Sequence, residues 1–361
     1  MPRTDIQRSD AQERPPEGFC RSIRVERQLS GGLWDAFLAN RTEGTLYHHR
    51  AWDKVFDVYR LPVFRLAALD SDRVVGVLPL VWQGSWLFGS QLVSLPWFDS
   101  AGVLADDATV YDALLSEALN MAAERHAAKL HVRQPSPIEH LPPARSDKVL
   151  MRLPLDEDPG RMWDRFSAKV RNQIRKAQKE GLTYESGGSE LLEAFYSVYS
   201  TNMRDLGSPA HSFRFFQEVA TAFPAVSRLH VIRHEGRAIG AALALGNGTA
   251  LEIPWASSLR RYNPYCVNHL LYWQLIQNAC REGFRHFHFG RSTIDSGTYH
   301  FKKQWGAESL PLHWYTLRQD GAAASSAERP EESFSLARRV WQRLPKWIAE
   351  LLGSRIIRKV A

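Results

Sequence analysis

The stretch Asn247-Gly248-Thr249-Ala250-Leu251-Glu252-Ile253-Pro254-Trp255 decides how this chain folds. Asn-Gly is a tight-turn dipeptide that closes a hairpin between antiparallel strands. The apolar run after it ends in Ile-Pro-Trp. Working outward, residues 228–233 and 237–245 read as two strands joined at Glu235-Gly236, residues 264–282 as a helix, and residues 285–289 as a further strand. The first half of the chain has the same order. Residues 63–69 and 73–81 form a hairpin about Asp70-Ser71-Asp72, residues 86–95 a third strand ending in Leu95-Pro96-Trp97, residues 108–127 a helix, and residues 130–132 a short strand. Strand, strand, strand, helix, strand thus occurs twice, and the two Pro-Trp pairs fall at the same place in each series. The reading is two tandem copies of one α/β unit.

The expected divisions are a disordered N-terminus (1–18), a first unit (19–150), a second unit (151–318), a linker (319–333) rich in Ala, Ser and Glu, and a basic amphipathic tail (334–361). Hydrophobic residues at 44% with 24% charged mark a folded chain, not a disordered one. Cys20, Cys266 and Cys280 have neither disulfide-framework nor zinc spacing, which implies a reducing compartment. No run approaches the ~20 apolar residues of a membrane span, and the N-terminus lacks a signal peptide's apolar core. A cytoplasmic protein is expected. The net charge is +7, but residues 334–361 carry seven basic residues against Glu350 alone, so the rest of the chain is nearly neutral. That argues against a nucleic-acid-binding module. In the tail, Phe334, Ala337, Trp341 and Leu344 share one helical face, followed by Trp347, Ile348, Leu351 and Leu352 after Pro345. Apolar residues opposite Arg and Lys suit an anionic membrane surface on the inner face of the cytoplasmic membrane. The alternative is a helix docked on the protein itself.

Residues 161–181 read as one helix whose buried stripe is Trp163, Phe166, Val170, Ile174 and Ala177. Lys169, Arg171, Arg175 and three further cations, with Asn172 among them, lie outside it. They suit either a polyanion or a solvated face. Residues 201–216 gather Arg204, Asp205 and His211 about a Gly-Ser-Pro turn. Residues 284–306, FRHFHFGRSTIDSGTYHFKKQWG, pass from an apolar strand into a donor-rich loop with no counterpart in the first copy. No Ser-His-Asp order, HExxH, Walker A or GxGxxG motif is present, and no metal site is expected.

Three stretches carry a resemblance: Lys169 through Ala177 (KVRNQIRKA), Arg204 through Pro209 (RDLGSP), and Gly290-Arg291-Ser292 with Gly297 and Phe301 through Gly306 (FKKQWG). In these the chain resembles the FemAB-like transferases of the GNAT superfamily, particularly the bacterial group found with exopolysaccharide and PEP-CTERM/exosortase loci. The resemblance implies two tandem GNAT-like domains with mixed, mainly antiparallel sheets flanked by helices. It also implies transfer of an acyl or aminoacyl group to an amine in cell-envelope or exopolysaccharide synthesis. No cofactor is required; the donor is an aminoacyl-tRNA, an acyl-CoA or an acyl carrier protein, and the acceptor a lipid- or nucleotide-linked saccharide or peptide. Lys302 matches the family's lysine at the reacting centre, and because basic residues at the family's domain interface hold acceptor phosphates, Lys169, Arg171 and Arg175 are the candidates for that contact. The chain departs from the family in lacking a coiled-coil arm, which disfavours tRNA, in having His288 where an acid is common, and in lacking a glycine-rich pyrophosphate loop after Trp255.

For acyl transfer, Lys302 is expected to meet the oxyanion or leaving group, Arg291 a phosphate or carboxylate, and Asp205, Asp99 or His211 the proton of the acceptor amine. Arg204, Ser292, Tyr299, Lys303 and Trp305 complete the expected substrate contacts. The competing expectation is a non-catalytic scaffold of the same fold held at the membrane by its tail.

Overall fold

A computed structural model describes residues 22–39, 41, 46–85, 89–138, 147–323 and 331–359. The expected disordered N-terminus, part of the strand at 86–95 and the middle of the linker (324–330) lie outside these. The first half contains β1 (Ile23–Glu26), α1 (Gly31–Ala39), α2 (Trp52–Asp57), β2 (Val63–Asp70), β3 (Arg73–Ser85), β4 (Gly89–Val93), β5 (Leu104–Ala105), α3 (Ala108–Glu124) and β6 (Lys129–Gln134). The second contains β7 (Lys148–Pro154), α4 (Pro159–Arg165), α5 (Ala168–Lys179), β8 (Thr183–Gly187), α6 (Leu192–Leu206), α7 (Phe213–Ala222), β9 (Ser227–His234), β10 (Arg237–Asn247), β11 (Ala250–Ser258), α8 (Val267–Arg281), β12 (His286–Thr293), α9 (Gly297–Lys303), β13 (Glu308–Pro311), β14 (His313–Leu317), α10 (Glu331–Arg343) and α11 (Lys346–Ile357).

The repeat is real. One sheet runs β1-β2-β3-β4-β6-β14, with β5 on β3; the other runs β8-β9-β10-β11-β12-β7-β13. In each, three antiparallel strands meet a parallel neighbour, β4 with β6 and β11 with β12. Parallel strands need a long crossover, which α3 and α8 supply. The β10–β11 turn sits one residue later than read. Its loop is Gly248-Thr249 with Gly248 at φ 56°, glycine taking the first central position.

Strand pairing crosses the expected division at residue 150 twice. After β6 the chain leaves its own sheet, and β7 pairs antiparallel with β12. The matching place beside β6 is filled by β14, which returns from the far side of the second copy. The first sheet therefore contains a strand of the second half, and β7, which straddles residue 150, belongs to the second sheet.

Strand β10 is buried along nearly its whole length, because α6 and α8 cover opposite faces of the second sheet. Helix α3 covers the first sheet, and α2 packs on α7 across the junction. One hydrophobic core runs through that junction. It joins Trp52, Phe56, Leu95 and Phe98 to Phe215, Phe216, Phe223 and the second sheet, while a separate cluster lies under α3.

One helix expectation changes. Residues 161–181 are not one helix: Phe166 is extended (φ −74°, ψ 146°), and Ser167 starts α5 by accepting from the Val170 N–H at 3.3 Å. The tail forms α10 and α11, broken at Pro345, and both pack on α6. Their inner side is fixed by Gln342 Nε2 donating to Asp205 O (3.1 Å) and by Trp97 Nε1 donating to Ile357 O (3.3 Å). No helix among the described residues is long and apolar enough to cross a membrane.

Candidate active site

Strands β11 and β12 pair from Ala250↔His286 to Glu252↔His288 and no further, although β11 stays paired with β10 to Ser258 and β12 with β7 to Thr293. Beyond Glu252 they part. Pro254 has no N–H to offer the neighbouring strand. Across from it, Gly290 takes φ 75° within an irregularity between His288 and Arg291 that redirects β12, a conformation an L side chain resists.

Into this place comes the loop after β4 of the other unit. Asp99 accepts from the Arg291 N–H (3.1 Å) and from its guanidinium (2.8 Å), and the same guanidinium reaches Trp97 O (3.2 Å). Lys302 of α9 donates to Gly290 O (3.0 Å) and Arg291 O (2.8 Å). Its ammonium is buried, and burial pulls its pKa down to about 8 against the opposing pull of Asp99. Trp314 donates to Asp99 O (3.0 Å) and lies under both Arg133 (4.6 Å) and Arg291 (5.4 Å). Three residues expected to take part in chemistry, Lys302, Arg291 and Asp99, are thus brought together from two units. Two of the three ammonium N–H groups are engaged with these carbonyls, which leaves one without a protein partner among the described residues.

The first sheet closes its equivalent gap by itself. Strands β4 and β6 pair through Val93↔His131, after which Arg133 turns inward onto Phe98 O (2.8 Å) and its own N–H meets Ser94 Oγ (2.8 Å).

The remaining expected residues scatter. His211 lies in an aromatic box, stacked on Phe215 (4.0 Å between ring centroids) and edge-on to Trp97 (4.7 Å), with Tyr59 Oη 3.2 Å from its Nδ1. Burial pulls its pKa to about 3 and so favours the neutral ring. Trp305 is 2% exposed and packs on Phe166 in the core. Ser292 is buried beside Arg291, and its Oγ has no hydrogen-bond partner among the described residues. Tyr299 is half-buried, with its hydroxyl 3.4 Å from Ser309 Oγ, and Lys303 is exposed. Arg204 and Asp205 pair with each other on α6 (2.6 Å). Lys169, Asn172 and Arg175 are exposed on α5, which packs against α8; Arg171 donates to Asp164 O (3.1 Å), and Arg175 to Asn172 Oδ1 (3.3 Å).

A second polar group at the junction was not foreseen. Tyr47 of the first unit donates to Glu252, Asn247 Nδ2 donates to the other carboxylate oxygen (2.8 Å), and His288 Nδ1 stands 3.7 Å from that oxygen. Burial pushes Glu252 up, but His288, Tyr47 and Asn247 together hold its carboxyl below the usual range. Glu252 stands in direct register with His288 on the adjacent strand. Among the described residues no cluster of His, Cys, Asp and Glu is arranged to hold a metal ion.

The fold is a tandem of two GNAT-like units. Residues 164–303 match the family model described as an acetyltransferase (GNAT) domain. Among solved structures, FemX superposes with a TM-score of 0.64 at 14% identity, covering 87% of this chain and 100% of FemX. A tandem GNAT protein from the clavulanic acid biosynthesis pathway gives 0.55 at 14% identity, covering 82% and 98%. L-PGS from Bacillus licheniformis gives 0.53 at 15% identity, covering 88% and 99%. At these identities the likeness is one of fold. A search of curated protein sequences gives no significant match.

Proposed function

We propose that this protein is an acyl- or aminoacyltransferase that forms an amide on an amine acceptor in bacterial cell-envelope or exopolysaccharide synthesis. The observation that carries the reading is the parting of β11 and β12 at Pro254 and Gly290, with Lys302, Arg291 and Asp99 gathered beside it. The acetyltransferase-domain match and the FemX-like fold support transfer chemistry, and the resemblance in the KVRNQIRKA, RDLGSP and FKKQWG stretches supports the envelope setting. The acceptor nitrogen attacks the donor carbonyl. A C–N bond forms, the C–O or C–S bond to the donor's carrier breaks, and the leaving oxygen or sulfur takes the electron pair. The free N–H of Lys302 faces the negative oxygen of the tetrahedral intermediate. Asp99 is the proton-acceptor candidate that shares this cluster; Asp205 stands apart on α6. Acyl-CoA or acyl carrier protein fits the missing coiled-coil arm better than tRNA.

The tail supports a peripheral position on the inner face of the cytoplasmic membrane. Docking leaves Leu336, Val340, Trp347, Leu351 and Leu352 exposed next to Arg339, Arg343 and Arg355.

The test is donor consumption. Purified full-length protein is given acetyl-CoA, a long-chain acyl-CoA, an acyl carrier protein thioester and an aminoacyl-tRNA, each with an amino-sugar nucleotide as acceptor. Wild type should consume at least one donor, and Lys302→Ala should slow it by about 10²–10³-fold while remaining folded. Undiminished transfer by Lys302→Ala would remove the assignment, and wild type inert toward all four donors would favour the scaffold.

A further inference from the structure

A cleft of about 870 Å³ lies on the second unit, away from the Lys302 cluster, between α6, the turn joining β9 to β10, and the chain just after β11. Five arginines line it: Arg204 from α6, Arg233 and Arg237 from either side of the β9–β10 turn, and Arg260 and Arg261 from the turn after β11. They come from three separate regions of the sequence, so it is the fold that collects them. Two are held in place. Arg204 pairs with Asp205 (2.6 Å), and Arg233 pairs with Glu185 and reaches Gly236 O (3.2 Å). The other three have no carboxylate partner among the described residues; Arg260 makes only a 3.5 Å contact to Asp205 O, and Arg261 lies over the Tyr262 ring. Leu259 and Ala238 supply an apolar wall, while Glu190 and Glu193 supply acceptors.

We propose that this cleft binds a phosphate ester. Unpaired guanidinium groups facing one cavity repel one another until an anion joins them, and their planar forks match phosphate oxygens two at a time. The volume exceeds that of a bare phosphate, and the glutamates suit hydroxyl or amino groups on the rest of the molecule. The cleft also adjoins the tail. Gln342 and Lys346 of the tail bond to the carbonyls of Asp205 and Ser197, two of the cleft's own lining residues. The ester can therefore be soluble or be the headgroup of a lipid in a surface touched by the tail. None of this depends on the acyl-transfer reading.

The experiment is calorimetric titration of the full chain with inorganic pyrophosphate at low salt, comparing wild type, Arg260→Gln/Arg261→Gln, Arg237→Gln, and a Lys176→Gln/Lys179→Gln control that removes the same charge from α5. Wild type should bind; Arg260→Gln/Arg261→Gln should weaken binding by about tenfold or more, Arg237→Gln by several-fold, and the control by no more than about twofold. No binding by wild type, or equal loss in the control, overturns the proposal. Vesicles of phosphatidylglycerol and phosphatidylcholine identify the source. Vesicle affinity lost in Arg260→Gln/Arg261→Gln but kept in the control indicates a lipid headgroup; vesicle affinity kept while pyrophosphate binding is lost indicates a soluble ester.

Discussion

Lys302 combines a charge, deep burial and two backbone acceptors, and these pull in different directions. Burial alone disfavours the ammonium, while the carbonyls of Gly290 and Arg291 give it a defined place. With a folded pKa of about 8, below the 10.5 of an ordinary lysine, the unfolded chain binds more protons between those two values. Stability from this group therefore rises as pH increases from about 8 to 10.5. Measured by denaturant unfolding, wild type should gain on Lys302→Met across that window; parallel curves would show that the ammonium is not buried as described. The Asp99–Arg291 pair is different. It is partly exposed, so it contributes little to stability and acts chiefly by fixing where the first unit's loop meets β12.

At the scale of elements, the docked tail makes the sharpest claim. Gly353 of α11 is buried where a Cβ would lie 2.9 Å from Ala210 N and 3.1 Å from Ala210 O, and backbone atoms cannot step aside. Gly353→Val should cost about 1–3 kcal/mol and lift α11 from α6. Trypsin should then cut after Arg355 and Lys346 faster than in wild type, and an unchanged digest would contradict the packing. That the tail is two helices broken at Pro345 was plain in the sequence, because proline sets a boundary locally. Which surface the helices cover was not, since an amphipathic face fits a membrane and a groove equally well. The same limit explains β7 and β14. Alternating burial marks β7 as a strand, but period-two patterning carries no information about which sheet edge receives it, so the placement of both strands was invisible. The break at Ser167 was legible in principle as a cap residue, but the continuous apolar stripe across it masked the signal.

For the whole molecule, the repeat was legible because each copy states its strand order locally, whereas the site depends on how the copies face each other. Lys302 and Arg291 were readable from their own segment; Asp99 was one of three candidate proton acceptors until the loop carrying it met β12, and Tyr47 with Glu252 had no local signature at all. The same facing of copies runs one core through the junction, beside the separate cluster under α3, and that shared core should make the two units unfold together. Three histidines test this: half-buried His131 in the first sheet, buried His230 in the second and buried His211 between them, each pulled by desolvation to about 3. Because the unfolded chain binds protons near 6.5 and the folded chain does not, stability must fall as pH drops from about 6.5 toward 3. Replacing His211 with Gln, which keeps an acceptor for Tyr59, should flatten that fall for the entire chain, with tryptophan fluorescence and far-ultraviolet circular dichroism tracing one coincident transition. Two separated transitions, only one of them shifted by His211→Gln, would mean that the shared core does not couple the units.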